Sequence, residues 1–373
     1  MNDKSIKCPR LVAILGTRAQ TIKMAPLLVE LENRDLPFRL LLTGQHRETI
    51  QELLAEFGVK TPSEVLYDGP EIKGILQAAK WMLRMGWMLW IRRNDWAPKP
   101  RKATIVLAHG DTFSTLLAAG FGWLARARVA HVEAGLRSYN LRHPFPEELT
   151  RLLVGYFSDI AYCPGQWACG NLNPHRKAIV DTGANTILDA LRKAIMCRSN
   201  AKIRPDVPYA VVSIHRFENL YSRERLDIIL RVLQQLSEHM LVIVVLHPTT
   251  RKRLIETGEL AKLENNPAIS LRDRMTYVPF IQMIGRARFV ISDGGSNQEE
   301  LSYLGVPTLL MRMATERQEG LQTNIVLSRF APEQIRMTIE KALAEKSIDS
   351  EVQLPDIRPV SIIADDLCKR LFR

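Results

Sequence analysis

Short apolar runs alternate with helix-length amphipathic stretches along almost the whole chain. Residues 11–15, 38–43, 104–107, 129–131 and 159–162 read as buried strands, each with a helical stretch before the next. The first helix is expected to open near Thr21, with Ile22, Met24, Leu27 and Leu28 on one side. Pro26 would then fit only its first turn or a kink. The pattern pauses over 198–208, a short polar segment containing Pro205 and Pro208, and restarts with strands at 210–214, 241–246, 268–271, 289–292 and 308–311. Such alternation implies parallel sheets with right-handed crossovers. The fold class is therefore α/β, with two similar halves facing each other across a central cleft. The boundaries read as 1–200 for the first domain and 201–357 for the second. A C-terminal helix over 358–373, apolar on one face, could pack back on the first domain.

Composition narrows the class of protein. At 373 residues the chain suits two cores rather than one. It is 46% hydrophobic and 24% charged, as soluble globular proteins are. No stretch reaches the ~18 apolar residues of a membrane span. Met1-Asn2-Asp3-Lys4 has no apolar signal core, which leads to the expectation of a cytoplasmic protein. Five scattered cysteines, none in Cys-x-x-Cys, read as reduced structural thiols with no metal. The net charge of +11 leaves two readings, an anion site or a solvated basic surface; no nucleic-acid motif is visible.

Candidate chemistry clusters at predicted strand ends. His109-Gly110-Asp111-Thr112, His131-Val132-Glu133-Ala134-Gly135 and Pro144-Phe145-Pro146-Glu147-Glu148 would gather acids at one sheet rim. Acids in one partly dry site are driven to different pKa values, which proton transfer needs. Gly16-Thr17-Arg18 precedes a helix with Lys23, so it is either a phosphate grip or a structural turn with a surface Arg. Ser292-Asp293-Gly294-Gly295-Ser296 follows a strand, where consecutive backbone N–H groups would form a phosphate nest. His215-Arg216 ends another strand, and Arg312 and Arg317 add positive charge. Residues 81–93, rich in Trp, Met and Arg, fit core or dimer packing better than membrane-surface contact.

With these residues in view, the chain strongly resembles the bacterial non-hydrolysing UDP-N-acetylglucosamine 2-epimerases, relatives of the GT-B glycosyltransferases. The resemblance covers about residues 10–345. It rests on Gly16-Thr17-Arg18 with Ile22-Lys23-Met24-Ala25-Pro26, on Gln45-His46-Arg47-Glu48 and on the three acid-bearing segments. Arg137, Arg151, Thr182-Gly183, Gln298-Glu299-Glu300 and Thr315-Glu316-Arg317 complete it. The implied fold is two Rossmann-like domains in a GT-B-like arrangement. The implied reaction interconverts UDP-GlcNAc and UDP-ManNAc by elimination of UDP to a glucal and its re-addition. No metal, nicotinamide or other cofactor is needed for it.

By the same resemblance Asp111, Glu133, Glu147 and His215 are the catalytic set. Arg18, Lys23, Arg137, Arg151, Gly294, Gly295, Ser296, Glu300 and Arg317 would hold the UDP-sugar, with Phe280 near the uracil. Gln45, His46, Arg47 and His247 match a second, activating UDP-GlcNAc site. A homodimer supplying surface polysaccharide precursors is the implied setting. Departures from the family pattern are Ala19-Gln20 for Pro-Glu, Gly294-Gly295-Ser296 for Ser-Gly-Gly, Met275 for a Gln, and one extra residue in Gly183-Ala184-Asn185-Thr186. The alternatives are a hydrolysing epimerase, a GT-B glycosyltransferase with a lipid acceptor, and a non-catalytic nucleotide-sugar sensor.

Overall fold

Leu11-Val12-Ala13-Ile14-Leu15 shows why the apolar runs are unbroken. Leu11, Ala13 and Leu15 pack on one face with Met24, Leu27 and Leu28. Val12 and Ile14 pack on the other with Trp81, Met85 and Phe121. A parallel strand covered on both faces has no polar side to display. In the computed structural model the described residues are 10–44, 47–67, 75–97, 101–141, 146–197, 205, 207–315, 317–321, 323–344 and 353–372. They fall into two compact units, Met1–Ala190 with Asp356–Arg373, and Leu191–Pro355.

The first unit holds β1 (Leu11–Leu15), β2 (Phe38–Leu42), β3 (Ser63–Val65), β4 (Ile105–His109), β5 (Arg128–Val132), β6 (Ile160–Cys163) and β7 (Ala178–Asp181). They form one parallel sheet of order β3-β2-β1-β4-β5-β6-β7. The second unit holds β8 (Tyr209–Ser213), β9 (Leu241–Leu246), β10 (Ile269–Asp273), β11 (Phe289–Ser292), β12 (Thr308–Leu310) and β13 (Ile325–Leu327). Their order is β10-β9-β8-β11-β12-β13, again parallel. Chain order reverses between β1 and β4 in one sheet and between β8 and β11 in the other. Loops diverge at such switch points, which makes room for ligands at the strands' C-terminal ends.

The C-terminal helix Pro359–Phe372 packs on the first unit through Val360, Ile363, Ala364 and Leu367. Tyr162 Oη donates to Asp366 at 2.8 Å, and Val360 N–H to Asp189 at 3.0 Å.

Several expectations are corrected here. The first helix is Arg18–Asn33, opening at the Thr17 N-cap rather than near Thr21. Pro26 lies well inside it. Burying Met24, Leu27, Leu28 and Leu31, at about 2 kcal/mol each, outweighs the ~3 kcal/mol that an interior proline costs. The short edge strands β3, β7 and β13 were not foreseen. The segment 81–93 divides: Trp81, Met85 and Leu89 are buried at helical spacing, while Leu83, Trp87 and Trp90 are exposed. Among the described residues no helix is long and apolar enough to cross a membrane. Gln45, His46, Pro144, Phe145, Glu316 and all of 198–204 lie outside the described residues, as does the side chain of Arg47.

Candidate active site

At the switch point of the first sheet, Gly16 ends β1 against Ser114 and Thr43. A Cβ there would stand 1.8 Å from Ser114 Oγ and 2.3 Å from Thr43 Oγ1, so only glycine fits. Thr17 caps the following helix in a capping box with Gln20. Gln20 is buried and fully used. Its Oε1 accepts from Gly16 N–H at 2.9 Å and Thr17 N–H at 3.2 Å. Its Nε2 donates to the His109 carbonyl at 2.7 Å and Thr115 Oγ1 at 3.0 Å. One amide therefore ties the end of β1 to the end of β4. A carboxylate could not make the two donations.

Glu133 and Asp111 follow the adjacent strands β5 and β4. Glu133 has φ +65°, a left-handed conformation rarely adopted by a side-chain-bearing residue outside sites where the surroundings enforce it. Its Oε1 receives Lys23 Nζ at 2.7 Å and Asn185 Nδ2 at 2.6 Å, and the Lys23–Glu133 pair is almost wholly buried. His109 Nε2 stands 3.3 Å from Glu133 Oε2. Burial pushes His109 down to about 3 against the pull of Glu133, with Lys23 adding to the depression. His131 is pushed down to about 4, again by burial. Both imidazoles are neutral at neutral pH.

Asp111 is held by Arg151, whose Nε and Nη2 approach Oδ2 at 2.9 and 2.7 Å. Arg151 also reaches Glu148 at 3.3 Å, and Arg137 Nε donates to Glu148 at 2.6 Å. Glu148 is fully buried and accepts Ser138 N–H at 2.9 Å. Burial alone would raise its carboxyl, but the Ser138 N–H and the two guanidinium groups hold it below the usual range. Glu147, its neighbour at the start of helix Glu147–Phe157, has a buried Oε2 without a hydrogen-bond partner.

In the second unit His215 follows β8 and Asp293 follows β11. Asp293 is fully buried and accepts from the backbone N–H of His215 at 3.1 Å and Arg216 at 2.9 Å, and from Asn219 Nδ2 at 3.0 Å. His215 Nδ1 lies 3.1 Å from Asp293 Oδ1. Burial works against the Asp293 charge, yet the His215 ring and these N–H groups keep its pKa depressed. His215 stacks on His247 with centroids 4.6 Å apart, and His247 Nε2 is 3.2 Å from Ser213 Oγ. Gly294 caps helix Gly295–Leu304. A Cβ on it would come within 3.2 Å of His215 Cε1, so glycine admits the imidazole.

The structure brings Lys23 to Glu133 and Arg151 to Asp111, and places His215 beside His247. Arg317, expected on the diphosphate, pairs with Glu299 at 2.6 Å. Glu300 is buried in its helix, and Phe280 is half-buried on helix Tyr277–Ile284. Arg18 is half-exposed at the N-terminus of its helix. The expected double-glycine nest is corrected: the Gly294 N–H is taken by Ser292 Oγ at 3.2 Å, and Gly294 has an ordinary negative φ. What remains is a helix N-terminus carrying the N–H groups of Gly295 and Ser296, itself favourable for an anion. Glu148, Asn185, His109 and Asp293 stand within the segments named from sequence but had no individual role there. Asn185 had a signal in the extra residue at 183–186, and Asp293 in the charged position before Gly294-Gly295.

Two Rossmann-like units with acids at one switch point and a histidine beside a helix N-terminus at the other define a GT-B-like protein. The sequence model of UDP-N-acetylglucosamine 2-epimerase matches residues 29–355. The chain belongs to that family. It is 31% identical over 338 residues to the UDP-N-acetylglucosamine 2-epimerase of Campylobacter jejuni, covering 85% of each chain. It is also 31% identical over 347 residues to that of Methanococcus maripaludis, covering 88% of this chain and 90% of the relative. The solved structure of the Methanocaldococcus jannaschii enzyme in complex with UDP-GlcNAc and UDP matches with TM-score 0.78 and 27% identity, over 96% of this chain and 99% of that one. The Neisseria meningitidis enzyme bound to UDP-GlcNAc has the same fold, with TM-score 0.80 at 24% identity and coverage of 96% and 99%.

Proposed function

We propose that this chain interconverts UDP-N-acetylglucosamine and UDP-N-acetylmannosamine without hydrolysis, by anti elimination and re-addition of UDP, in precursor supply for surface polysaccharide. The observation that carries the reading is the pair of carboxylates on adjacent strand ends, each held by its own cation. Removal of a weakly acidic C2 proton needs a positioned base, and inversion needs a proton carrier for the opposite face. Asp111 on Arg151 and Glu133 on Lys23 supply two such groups in different surroundings. Glu147, with its unpartnered buried oxygen, is the third member of the set.

As the C1–O bond breaks, its electron pair leaves on UDP while the C2 proton passes to the base. The diphosphate then carries the developing charge. Arg18, the N–H groups of Gly295 and Ser296, and His215 are proposed to bind it, a form of stabilisation typical of leaving anions. Asp293 accepts from the His215 backbone N–H, and its Oδ1 lies 3.1 Å from the His215 ring Nδ1. Return of UDP to the same face of C1, with a proton delivered to the opposite face of C2, completes the inversion at C2. The chain is further proposed to act as a homodimer in the cytoplasm. The exposed Leu83, Trp87 and Trp123 support self-association.

Proton NMR of the purified protein with UDP-GlcNAc in deuterated water tests the reaction. UDP-ManNAc carrying deuterium at C2 is the expected product. Free ManNAc with UDP would replace the reading by the hydrolysing reaction, and unchanged substrate would remove it.

A further inference from the structure

The first unit has a second concave site. Helix Glu147–Phe157 covers the sheet after β5, but the connection from β6 to β7 contains only the five-residue helix Gln166–Gly170. A cavity of about 520 Å³ opens beside β5 with His131 among its lining residues. That volume is in the range of small-molecule sites. Asp111, Glu133 and Glu147 do not line it.

Its lining is one-sided in charge. Arg137, Arg151, Arg176 and Lys177 border it, and no acidic side chain is among its described lining residues. Arg137 pairs with Glu148, and Arg151 with both Asp111 and Glu148. Lys177 is anchored on the Gly155 carbonyl and on Ser158 Oγ at 3.2 Å, with Asp159 nearby. Arg176 is exposed at the border. The remaining wall includes Leu152 and the largely exposed Tyr156 ring. A fixed ammonium, two guanidinium forks and an apolar shelf suit a compact anion joined to a planar or apolar body.

We propose that this cavity is an effector site for an organic phosphate monoester. Its phosphate sits among Arg151, Lys177 and Arg176, and its body rests on Leu152 and Tyr156. Because Arg151 is shared with Asp111, the ligand competes for the cation that orients that acid, and so lowers turnover. The coupling rests on the proposed role of Asp111, whereas the binding does not.

Phenyl phosphate is the probe, titrated calorimetrically into the full chain with UDP present to occupy the nucleotide site. Saturable binding to the wild type is expected, weakened about tenfold or more in the Arg176→Glu, Tyr156→Ser double variant, which alters two exposed side chains. Without the probe, that variant should keep wild-type turnover. Absence of binding at millimolar probe, or equal affinity in the variant, overturns the site. Turnover slowed equally in both proteins would place the probe elsewhere and also overturn it, and binding with no effect on turnover would overturn the coupling. If the wild type has no epimerase activity at all, the functional reading fails while the calorimetry still decides the cavity.

Discussion

Two neutral buried histidines at the base of the candidate site make the first unit sensitive to mild acid. Folding lowers His109 from 6.5 to about 3 and His131 from 6.5 to about 4. Between about pH 4 and 6.5 the unfolded chain therefore binds more protons than the folded one. Stability is fully present above pH 6.5 and is lost as the pH falls toward 4. Near pH 5 each unfolded imidazole holds almost one proton that its folded counterpart lacks, a slope of about 1.4 kcal/mol per pH unit per histidine. From pH 7 to 5 each contributes a loss of about 2 kcal/mol, or about 4 kcal/mol together, a large share of the 5–15 kcal/mol of a typical domain. The depressed carboxyls of Glu148 and Asp293 begin from 4.5 and 3.8, so their losses fall mostly below this window.

The assay is built into the sequence. All six tryptophans, Trp81, Trp87, Trp90, Trp96, Trp123 and Trp167, lie in the first unit, so their fluorescence follows urea unfolding of that unit alone. Wild type should lose about 4 kcal/mol between pH 7 and 5 relative to a His109→Gln, His131→Gln double variant, whatever the variant's stability at pH 7. Parallel stability curves for the two proteins would refute the assignment of neutral buried imidazoles.

Three further outcomes are expected. Asp111→Asn and Glu133→Gln should each reduce turnover by about 10²-fold or more while UDP binding, followed by calorimetry, is retained; near-normal rates in both would remove the acids from the mechanism. Gln20→Ala should cost about 2–3 kcal/mol in urea unfolding, because the buried Gly16 N–H and the Thr17 N–H lose their acceptor. Gly294→Ala has no φ penalty but crowds His215 Cε1 at 3.2 Å. It should leave stability within about 1 kcal/mol yet slow turnover about tenfold by shifting that ring, and an unchanged rate would show that the ring's position does not matter.

What the sequence displayed was the part of the fold that repeats. Strands buried on both faces are nearly all apolar, so β1, β4, β9 and β11 stand out as runs, and β5 does so despite His131. Edge strands such as Ser63-Glu64-Val65 have no such obligation and leave no run. The proline inside the first helix shows tertiary burial overriding a local rule. Acids at strand ends were legible because a strand's C-terminal end is a fixed place in this topology.

Side-chain direction on a helix start was not legible in the same way. Glu147 and Glu148 are consecutive acids of one motif, and nothing in their order separates them. The first turn of helix Glu147–Phe157 does. It sends Glu148 inward to Arg137, Arg151 and the Ser138 N–H, and leaves one oxygen of Glu147 buried without a partner. A carboxylate saturated by two guanidinium groups and a backbone N–H is poorly placed to take or give a proton. One with an open oxygen is available to do so. The same contrast separates Gln20, whose four hydrogen bonds make it a fixture, from Lys23 three residues on, whose pairing with Glu133 ties a cation to an acid on the next strand but one. Roles at this site therefore follow from which hydrogen-bonding capacity is already spent, and that accounting needs neighbours drawn from β1, β4, β5 and the turn at 183–186.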